Sequence, residues 1–237
     1  MTLSGVGALT FDVFGTVVDW RTGIAREGAA LGRRKGIDLD WTAFADAWRA
    51  LYQPAMERVR GGEIAWCKLD ELHRMNLDIL LARHGVAGLT EEDIDQFNRA
   101  WHRLDPWPDA VAGLTRLKRK FILATLSNGN VSLLVNMAKY GGLPWDAVLG
   151  AETAGAYKPQ PEAYLRTAEL LGLAPERCMM VAAHNGDLAA ASALGMKTAF
   201  VRRPREYGPE QTSDLAADGD WDIIAEDFLE LADKLGC

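Results

Sequence analysis

Several polar side chains stand where apolar stretches of the chain end, and their types suit covalent chemistry. Together they would supply a carboxylate nucleophile, a hydroxyl and amide donor pair, a fixed cation and a second acid. An acid at such a point, taken alone, is more often a turn or helix-capping residue. Their repeated placement at the ends of successive segments nevertheless favours one shared site. The residues, in chain order, are Asp12, Ser127, Asn128, Lys158 and Asp187.

The elements that must position these residues alternate between short apolar strands and amphipathic helices. The pattern predicts an α/β fold with a doubly wound, parallel, Rossmann-like sheet. Because polar groups gather at the carboxyl ends of the strands in such a sheet, we expect the candidate residues to meet at one edge. The predicted strands are 8–13, 121–125, 147–149 and 179–183, and the predicted helices are 109–119, 131–140, 161–171 and 188–194.

Residues 21–104 differ from the rest of the chain, being rich in Ala, Leu, Arg, Glu and Trp with apolar residues three and four positions apart. We predict a helical cap domain here, inserted into a core domain of residues 1–20 and 105–237. A cap above the carboxyl edge of the sheet leaves a cleft between the two parts, which is the expected place for a site. Residues 202–209, with Pro, Gly and several charges, are predicted to form a surface loop.

The composition argues against several other classes of protein. Of the 237 residues, 49% are hydrophobic and 25% are charged, which argues against a long disordered chain. The net charge of -7, from 26 basic and 33 acidic residues, argues against a nucleic-acid partner. The apolar runs are too short to cross a bilayer, and the first residues lack the basic start and long apolar stretch of a signal peptide. We therefore expect neither a membrane role nor export.

The three cysteines, Cys67, Cys178 and Cys237, are far apart and outside the usual metal-binding spacings. They fit neither a disulfide framework nor a zinc site, so a reducing cytoplasm is the expected location. Cys178 lies in an apolar run, where we expect it to be a small buried hydrophobic residue.

The stretches around the candidate residues resemble the four motifs of the haloacid dehalogenase superfamily and, more narrowly, those of the L-2-haloacid dehalogenases of type II. The motifs are DVFGTVVDW from Asp12, TLSNGN from Thr125, YKPQPEAY from Tyr157 and the acid of HNGD at Asp187. Within the cap, only Trp48 and Arg49 resemble the family, matching its Trp-Arg pair.

One position separates the branches of this superfamily. The phosphatase branch carries a second aspartate two residues after the nucleophile, where it protonates the leaving alkoxide, but this chain has Phe14 there. A halide leaves as a stable anion and needs no such acid. Asp187 also has no second acid beside it to help hold the Mg²⁺ that phosphoryl transfer requires. We therefore expect a site without a metal or other cofactor.

The resemblance implies that the Asp12 carboxylate attacks C2 of a short 2-haloacid, expels halide with inversion and forms an aspartyl ester. Water then cleaves the ester at the Asp12 carbonyl to give a 2-hydroxy acid. Lys158 would keep Asp12 ionised through its positive charge. Asp187 would hold Lys158 and orient or activate the water.

The remaining site residues follow from the same resemblance. Thr16 and Ser127 are expected to hydrogen-bond the nucleophile or the substrate carboxylate, together with the backbone N–H groups of Val13 and Phe14. Arg49 and Asn128 resemble the family's halide acceptors. Two aromatic residues are expected in the wall of the substrate pocket. Tyr164 matches the tyrosine of the family's Lys-Pro segment, and Trp66 would form an aromatic wall around the halogen.

The sequence departs from the family after the last predicted strand. Where type II enzymes read Ser-Ser-Asn-Ala-Trp-Asp, this chain reads Ala-Ala-His-Asn-Gly-Asp from Ala182 to Asp187. His184 could be a neutral donor, a proton carrier, a cation that assists fluoride as a leaving group, or only a packed histidine. We hypothesise that His184 contributes to the site and shifts the substrate range toward small haloacetates, with Asn185 among the substrate-binding residues. The other histidines are expected to be exposed in the cap: His73, His84 and His102.

Two alternatives stay open at this stage. The first is an Mg-dependent phosphatase with the same nucleophile, which Phe14 disfavours. The second is a non-catalytic binding protein on this fold, although the presence of both Asp12 and Lys158 argues against it. The expected partner is a small haloacid, and the cap face could also pair two chains into a homodimer.

Overall fold

The structure is a computed structural model and describes residues 5–237. Residues 1–4 begin the stretch that we expect to lack an export signal, and they lie outside the described residues. A five-stranded sheet forms the core, with the order β4-β1-β5-β6-β7 and every neighbouring pair parallel. This arrangement confirms the predicted doubly wound sheet. The strands are β1 Ala8–Phe11, β2 Val18–Asp19, β3 Asp105–Pro106, β4 Ile122–Thr125, β5 Cys178–Ala182, β6 Lys197–Val201 and β7 Ile223–Ala225.

Helices cover the two faces of the sheet and form the insertion. Helices α1 to α5 lie between β2 and β3, which pair antiparallel where the chain leaves the sheet and returns to it. The helical insertion is thus present, and its exact domain boundaries stay a prediction. The helices are α1 Trp20–Lys35, α2 Trp41–Ala50, α3 Tyr52–Arg60, α4 Leu69–Arg83, α5 Glu91–Asn98, α6 Ala110–Leu117, α7 Val131–Gly141, α8 Ala151–Ala154, α9 Pro161–Leu170, α10 Asn185–Ala193 and α11 Phe228–Lys234, with 3-10 turns at Arg99–His102 and Pro175–Arg177.

Local sequence accounts for the ends of several helices. The Asp19 side chain accepts a hydrogen bond from the Thr22 N–H and so caps α1, which ends at Gly36 in a left-handed conformation. Pro161 occupies the first turn of α9, where its missing N–H would have no helical partner. All four residues of β1 are buried, as expected for a central strand with helices on both sides.

The predicted strand at 147–149 is wrong. Only an isolated bridge forms there, between Ala124 and Ala147. Both polar backbone groups of Leu149 bond to the Thr125 hydroxyl. The Leu149 N–H donates to this hydroxyl at 2.9 Å, and the hydroxyl donates to the Leu149 carbonyl at 2.7 Å. The Thr125 side chain thus takes the place of a neighbouring strand as the hydrogen-bond partner of the Leu149 backbone, so no strand forms at 147–149.

The prediction that 202–209 is a surface loop is only partly right. Arg203 is 7% exposed and Glu206 is 1% exposed, so two of the four charged side chains of this loop are buried. The Arg203 guanidinium donates two hydrogen bonds of 2.8 Å to the Asp109 carboxylate and one of 2.8 Å to the Thr16 carbonyl. The loop is therefore bonded into the core beneath the predicted site.

Two of the three cap histidines are also buried, contrary to expectation. His73 is 1% exposed and stacks on Trp101 with ring centroids 4.3 Å apart. His102 is 6% exposed and lies between Asp70 and Asn136, at 3.0 Å and 2.9 Å. Burial lowers the pKa of His73 to about 3, so this ring packs as a neutral aromatic group. His84 is exposed, as predicted.

The cysteine and membrane expectations can also be compared with the structure. All three cysteines are free, and Cys178 is completely buried, as expected for a small hydrophobic residue. Within residues 5–237, no helix combines the length and the apolarity that crossing a membrane requires.

We predict that Asp109→Asn destabilises the fold by about 3 kcal/mol, because it leaves the buried Arg203 without its charge partner. Urea unfolding followed by tryptophan fluorescence measures the change. The matched control is Asp233→Asn, whose partner Arg116 and own side chain are 32% and 67% exposed. We expect this control to change the free energy of unfolding by less than about 1 kcal/mol. Equal losses for the two variants would contradict the prediction.

Candidate active site

A cavity of about 500 Å³ lies where the carboxyl end of the sheet faces helices α2 and α3 of the insertion. It is the cleft that the strand order predicts. Eight of the predicted site residues line it: Asp12, Phe14, Arg49, Asn128, Lys158, Tyr164, His184 and Asp187. The other lining residues are Tyr52, Gln53, Arg60, Pro159, Gly186, Tyr207 and Asp214.

The Asp12 carboxylate lies at the centre of the site, just beyond β1. Its Oδ1 accepts a hydrogen bond from Lys158 Nζ at 2.9 Å, and its Oδ2 accepts one from the Thr16 hydroxyl at 2.7 Å. His184 Nδ1 is 3.1 Å from the same Oδ2. Burial alone would raise the pKa of Asp12, but Lys158 and His184 hold it far below its ordinary value. The carboxylate is therefore ionised and available as a nucleophile.

Lys158 is a buried cation shared by two carboxylates. It is 7% exposed, and its Nζ contacts both Asp12 and Asp187. Burial acts to lower the pKa of Lys158, but the charges of Asp12 and Asp187 raise it well above its ordinary value. The backbone N–H of Lys158 donates to Asn128 Oδ1 at 2.8 Å, and this bond fixes the start of the Lys-Pro segment. Tyr164 donates to Asp187 Oδ1 at 2.6 Å and thereby orients the second acid.

The Thr16 hydroxyl is oriented by a backbone group. The Ala183 N–H donates to Thr16 Oγ1 at 2.9 Å, so the hydroxyl hydrogen is left to point at Asp12. Thr16 therefore hydrogen-bonds the Asp12 carboxylate.

Arg49 contributes a positively charged side chain to the cavity wall. Its guanidinium carbon lies 4.2 Å from the centroid of the Tyr52 ring and 5.4 Å from that of Trp20. Burial would lower the pKa of Arg49, but Tyr207, Tyr52 and Glu206 raise it, so the group is charged. Among the described residues, the buried Nη1 of Arg49 has no hydrogen-bond partner. Arg49 also lines the cavity, and a charged guanidinium there is suited to receive an anion.

Five predicted residues do not line the cavity: Thr16, whose hydroxyl contacts Asp12 as described above, and Trp66, Ser127, Val13 and Asn185. Trp66 is 38% exposed and stacks on Tyr157 at 6.3 Å, so it does not form the predicted aromatic wall. Ser127 is fully buried, and its Oγ accepts a hydrogen bond from the Gly129 N–H. Within residues 5–237, no hydrogen bond joins Ser127 to Asp12. Val13 is also fully buried, and its carbonyl accepts the N–H groups that close the turn after β1.

Asn185 has a different role from the one predicted. Its amide nitrogen donates to Asp214 and to the Ala216 carbonyl, and its oxygen accepts from Trp221 Nε1 at 2.9 Å. All of these partners belong to the loop before β7. Asn185 therefore holds that loop to the start of α10, since its polar atoms have no capacity left for a substrate.

The sequence reasoning missed Glu206, the buried acid that contacts two of the site residues. Glu206 Oε2 is 2.8 Å from His184 Nε2, and Oε1 is 3.9 Å from Arg49 Nη2. Gly15, in the turn after β1, adopts a positive φ of 85° next to this acid. A Cβ on Gly15 would lie 2.1 Å from the Glu206 carboxyl group, so the glycine makes room for this acid. Spacing along the chain gives no sign of that contact.

Phe14 occupies the position that distinguishes the branches of the superfamily. It is 2% exposed, and its ring packs edge-on against Trp101 at 5.9 Å and Tyr52 at 6.4 Å. An apolar ring therefore stands in the cavity wall beside Asp12, and it has no proton to donate. Within residues 5–237, no group of three or more His, Cys, Asp or Glu side chains is arranged to hold a metal ion.

Comparison with known proteins agrees with the motifs. Residues 6–195 match a family model described as haloacid dehalogenase-like hydrolase. A solved structure of a defluorinating L-2-haloacid dehalogenase is 52% identical, with a TM-score of 0.96 over 98% of this chain and 96% of that chain. A second L-2-haloacid dehalogenase structure is 50% identical, with a TM-score of 0.95 over 98% of this chain and 99% of that chain. The (S)-2-haloacid dehalogenase 1 of Pseudomonas sp. (strain CBS-3) is 28% identical over an alignment of 226 positions, which covers 85% of this chain and 88% of that protein. The chain therefore belongs to the haloacid dehalogenase-like hydrolases and, within them, to the L-2-haloacid dehalogenases.

Proposed function

We propose that this protein hydrolyses the carbon–halogen bond of short 2-haloalkanoic acids, giving 2-hydroxy acids through an ester on Asp12. The observation that carries this proposal is the presence of an ionised carboxylate, Asp12, and a charged guanidinium, Arg49, in the wall of one cavity. The carboxylate supplies the nucleophile, and the arginine receives the anion that leaves. Phe14 supports halide as the leaving group, because a halide needs no proton from the protein.

In the first half-reaction, an Asp12 oxygen attacks C2 from the side opposite the halogen. The C2–oxygen bond forms as the carbon–halogen bond breaks, and the halogen departs as an anion with inversion at C2. Arg49 supplies positive charge and an N–H, and Asn128 supplies its amide N–H groups, since its Oδ1 is already bonded to the Lys158 N–H. In the second half-reaction, water attacks the ester carbonyl, with Asp187 positioned to take its proton.

The substrate class follows from the size and the charge of the cavity. The cations Lys158 and Arg49 face the cavity and favour an anionic substrate, while Phe14 and Tyr52 supply apolar surface for a short carbon chain. We propose haloacetates and (S)-2-haloacids as substrates, and we include fluoroacetate. The 52% identity to a dehalogenase described as defluorinating supports this inclusion.

We also propose a reducing, cytoplasmic location, for which the three free cysteines are the support. Pairing of two chains into a homodimer stays a prediction, and sedimentation velocity measures it.

We predict halide release from chloroacetate and (S)-2-chloropropionate without added metal and in the presence of EDTA. Asp12→Asn should abolish turnover, because the amide is not a nucleophile. After one cycle in H₂¹⁸O, mass spectrometry should find the label in the Asp12 side chain and not in the product. Label that goes directly into the product would contradict the ester. Release of phosphate from sugar phosphates that EDTA prevents would instead support the phosphatase alternative.

Arg49→Ala should slow the alkylation step by about 10²- to 10³-fold, because the departing halide loses its charged donor. Hydrolysis of the ester should slow much less. Rapid-quench single-turnover kinetics separate the two steps. Arg58→Ala is the matched control, because Arg58 lies on α3 with its side chain 49% exposed and paired with Glu63. Comparable losses in the two steps for Arg49→Ala would rule out its role as halide acceptor.

His184→Ala should lower kcat/KM for chloroacetate by about tenfold and for fluoroacetate by more, because a positive charge beside Asp12 is lost. Fluoride gains most from added positive charge because it is the poorest leaving group of the halides. Ion-selective detection of both halides measures the ratio. An unchanged kcat/KM for both substrates would sink the hypothesis that His184 shapes the substrate range.

A further inference from the structure

A chain of buried and partly buried charged and polar groups connects Asp12 to a loop far along the sequence. His184 bridges two carboxylates, with Nδ1 at 3.1 Å from Asp12 Oδ2 and Nε2 at 2.8 Å from Glu206 Oε2. The other oxygen of Glu206 accepts a hydrogen bond from Trp20 Nε1 at 2.9 Å. Glu206 is 1% exposed, so this acid is held rigidly and out of bulk water.

We propose that His184, kept in its protonated form by Glu206, stabilises the oxyanion that forms when water attacks the Asp12 ester. His184 is then a catalytic residue of the second half-reaction, and Glu206 is its positioning residue. This inference rests on the proposed function, because it requires an ester at Asp12.

The two oxygens of Asp12 have different surroundings, which assigns their roles. Oδ2 receives the Thr16 hydroxyl at 2.7 Å and the His184 N–H at 3.1 Å. Oδ1 receives only Lys158 Nζ among the described residues. Oδ1 therefore keeps a lone pair for attack on C2, and Oδ2 becomes the carbonyl oxygen of the ester. Two donors already aimed at that oxygen have the arrangement of an oxyanion hole.

The hydrolysis step balances with the groups present. The water oxygen bonds to Cγ of Asp12, its proton passes to the Asp187 carboxylate, and the carbonyl electron pair moves onto Oδ2. As the tetrahedral species collapses, the bond between Cγ and Oδ1 breaks. The product alkoxide takes the proton from Asp187, and Asp12 returns as a carboxylate by releasing one proton to solvent. His184 and Thr16 stabilise the negative charge on Oδ2 while the tetrahedral species exists.

Glu206 becomes essential once the ester has formed. Alkylation removes the charge of Asp12, so Glu206 is then the carboxylate that still contacts His184, while Lys158 repels a proton there. Burial acts to lower the pKa of His184, and the charge of Glu206 is the largest of the influences that raise it well above its ordinary value. The titratable and charged groups that face His184 or the cavity beside it are Asp12, Glu206, Lys158, Asp187, Arg49, Arg60, Tyr52, Tyr164, Tyr207 and Asp214.

The arrangement also accounts for the departure from the family's pattern after β5. Ala182 and Ala183 replace side chains that could donate hydrogen bonds, and His184 supplies a charged donor one position later. The Ala183 backbone N–H still takes part, because it orients the Thr16 hydroxyl toward Oδ2.

The test is Glu206→Gln, whose amide oxygen can still accept the Trp20 N–H but which carries no charge. In single-turnover reactions with chloroacetate, quenched samples are digested and the esterified Asp12 peptide is quantified by mass spectrometry across pH. We expect ester hydrolysis to slow by about tenfold, because a neutral donor binds an oxyanion less strongly than a charged one. The fall in hydrolysis rate at high pH should move to lower pH, because His184 loses its proton more easily. The burst of halide that reports alkylation should change much less.

Two further variants and a control complete the experiment. Glu206→Asp keeps the charge and should keep the high-pH limb near its original position. His184→Asn keeps an N–H donor that does not titrate and should remove this limb, which tests the idea even if Glu206→Gln does not fold. Glu210→Gln, at an exposed position just beyond the same loop, should match the unaltered protein.

The outcomes separate the two proposals. Ester hydrolysis that accelerates as His184 loses its proton would overturn the inference, because the ring would then act as a neutral base. An unshifted pH profile and an unchanged hydrolysis rate in Glu206→Gln would overturn it too. If no ester can be trapped in the unaltered protein, the proposed function itself fails.

Discussion

The site depends on one buried cation placed between two carboxylates. Lys158 contacts Asp12 and Asp187 in a region where each of the three charges alone would be strongly disfavoured by loss of water. Their mutual attraction keeps Asp12 ionised although it is only 7% exposed. A poorly hydrated carboxylate is a stronger nucleophile than a hydrated one, so the ion network that permits burial also suits Asp12 to the proposed attack. The sheet edge, the Lys-Pro segment and α10 serve to bring these three residues together.

The part of the site that could be predicted is the part that lies at strand ends. Asp12 and Lys158 belong to short motifs, and the parallel sheet determines that such motifs meet at one edge. Arg49 was found through its resemblance to a family pair, and its place in the cavity agrees with that expectation. Strands β1, β4 and β5 were predictable because their apolar runs are bounded by polar residues or glycine, whereas β6 was not predicted.

The parts that were missed depend on contacts between distant segments. Glu206 looks like a solvated charge in a loop, and only the three-dimensional packing of Trp20 and His184 around it explains its burial. Trp66 has the residue type of a wall but lies outside the cavity, since composition says nothing about which face of a segment turns inward. Strand β7 has only three residues with one of them exposed, which is too short for a periodic signal.

Gly15 has no side chain, and this lets two segments that are far apart in the sequence pack against each other. Because the Glu206 carboxyl group fills the space that a Cβ on Gly15 would need, the turn after the nucleophile and the loop before β7 must fit each other atom by atom. Neither can be redesigned alone. An engineer who wishes to graft the turn after β1 onto a related scaffold would have to transplant the distant loop as well, or accept a catalytic turn with an empty space behind it.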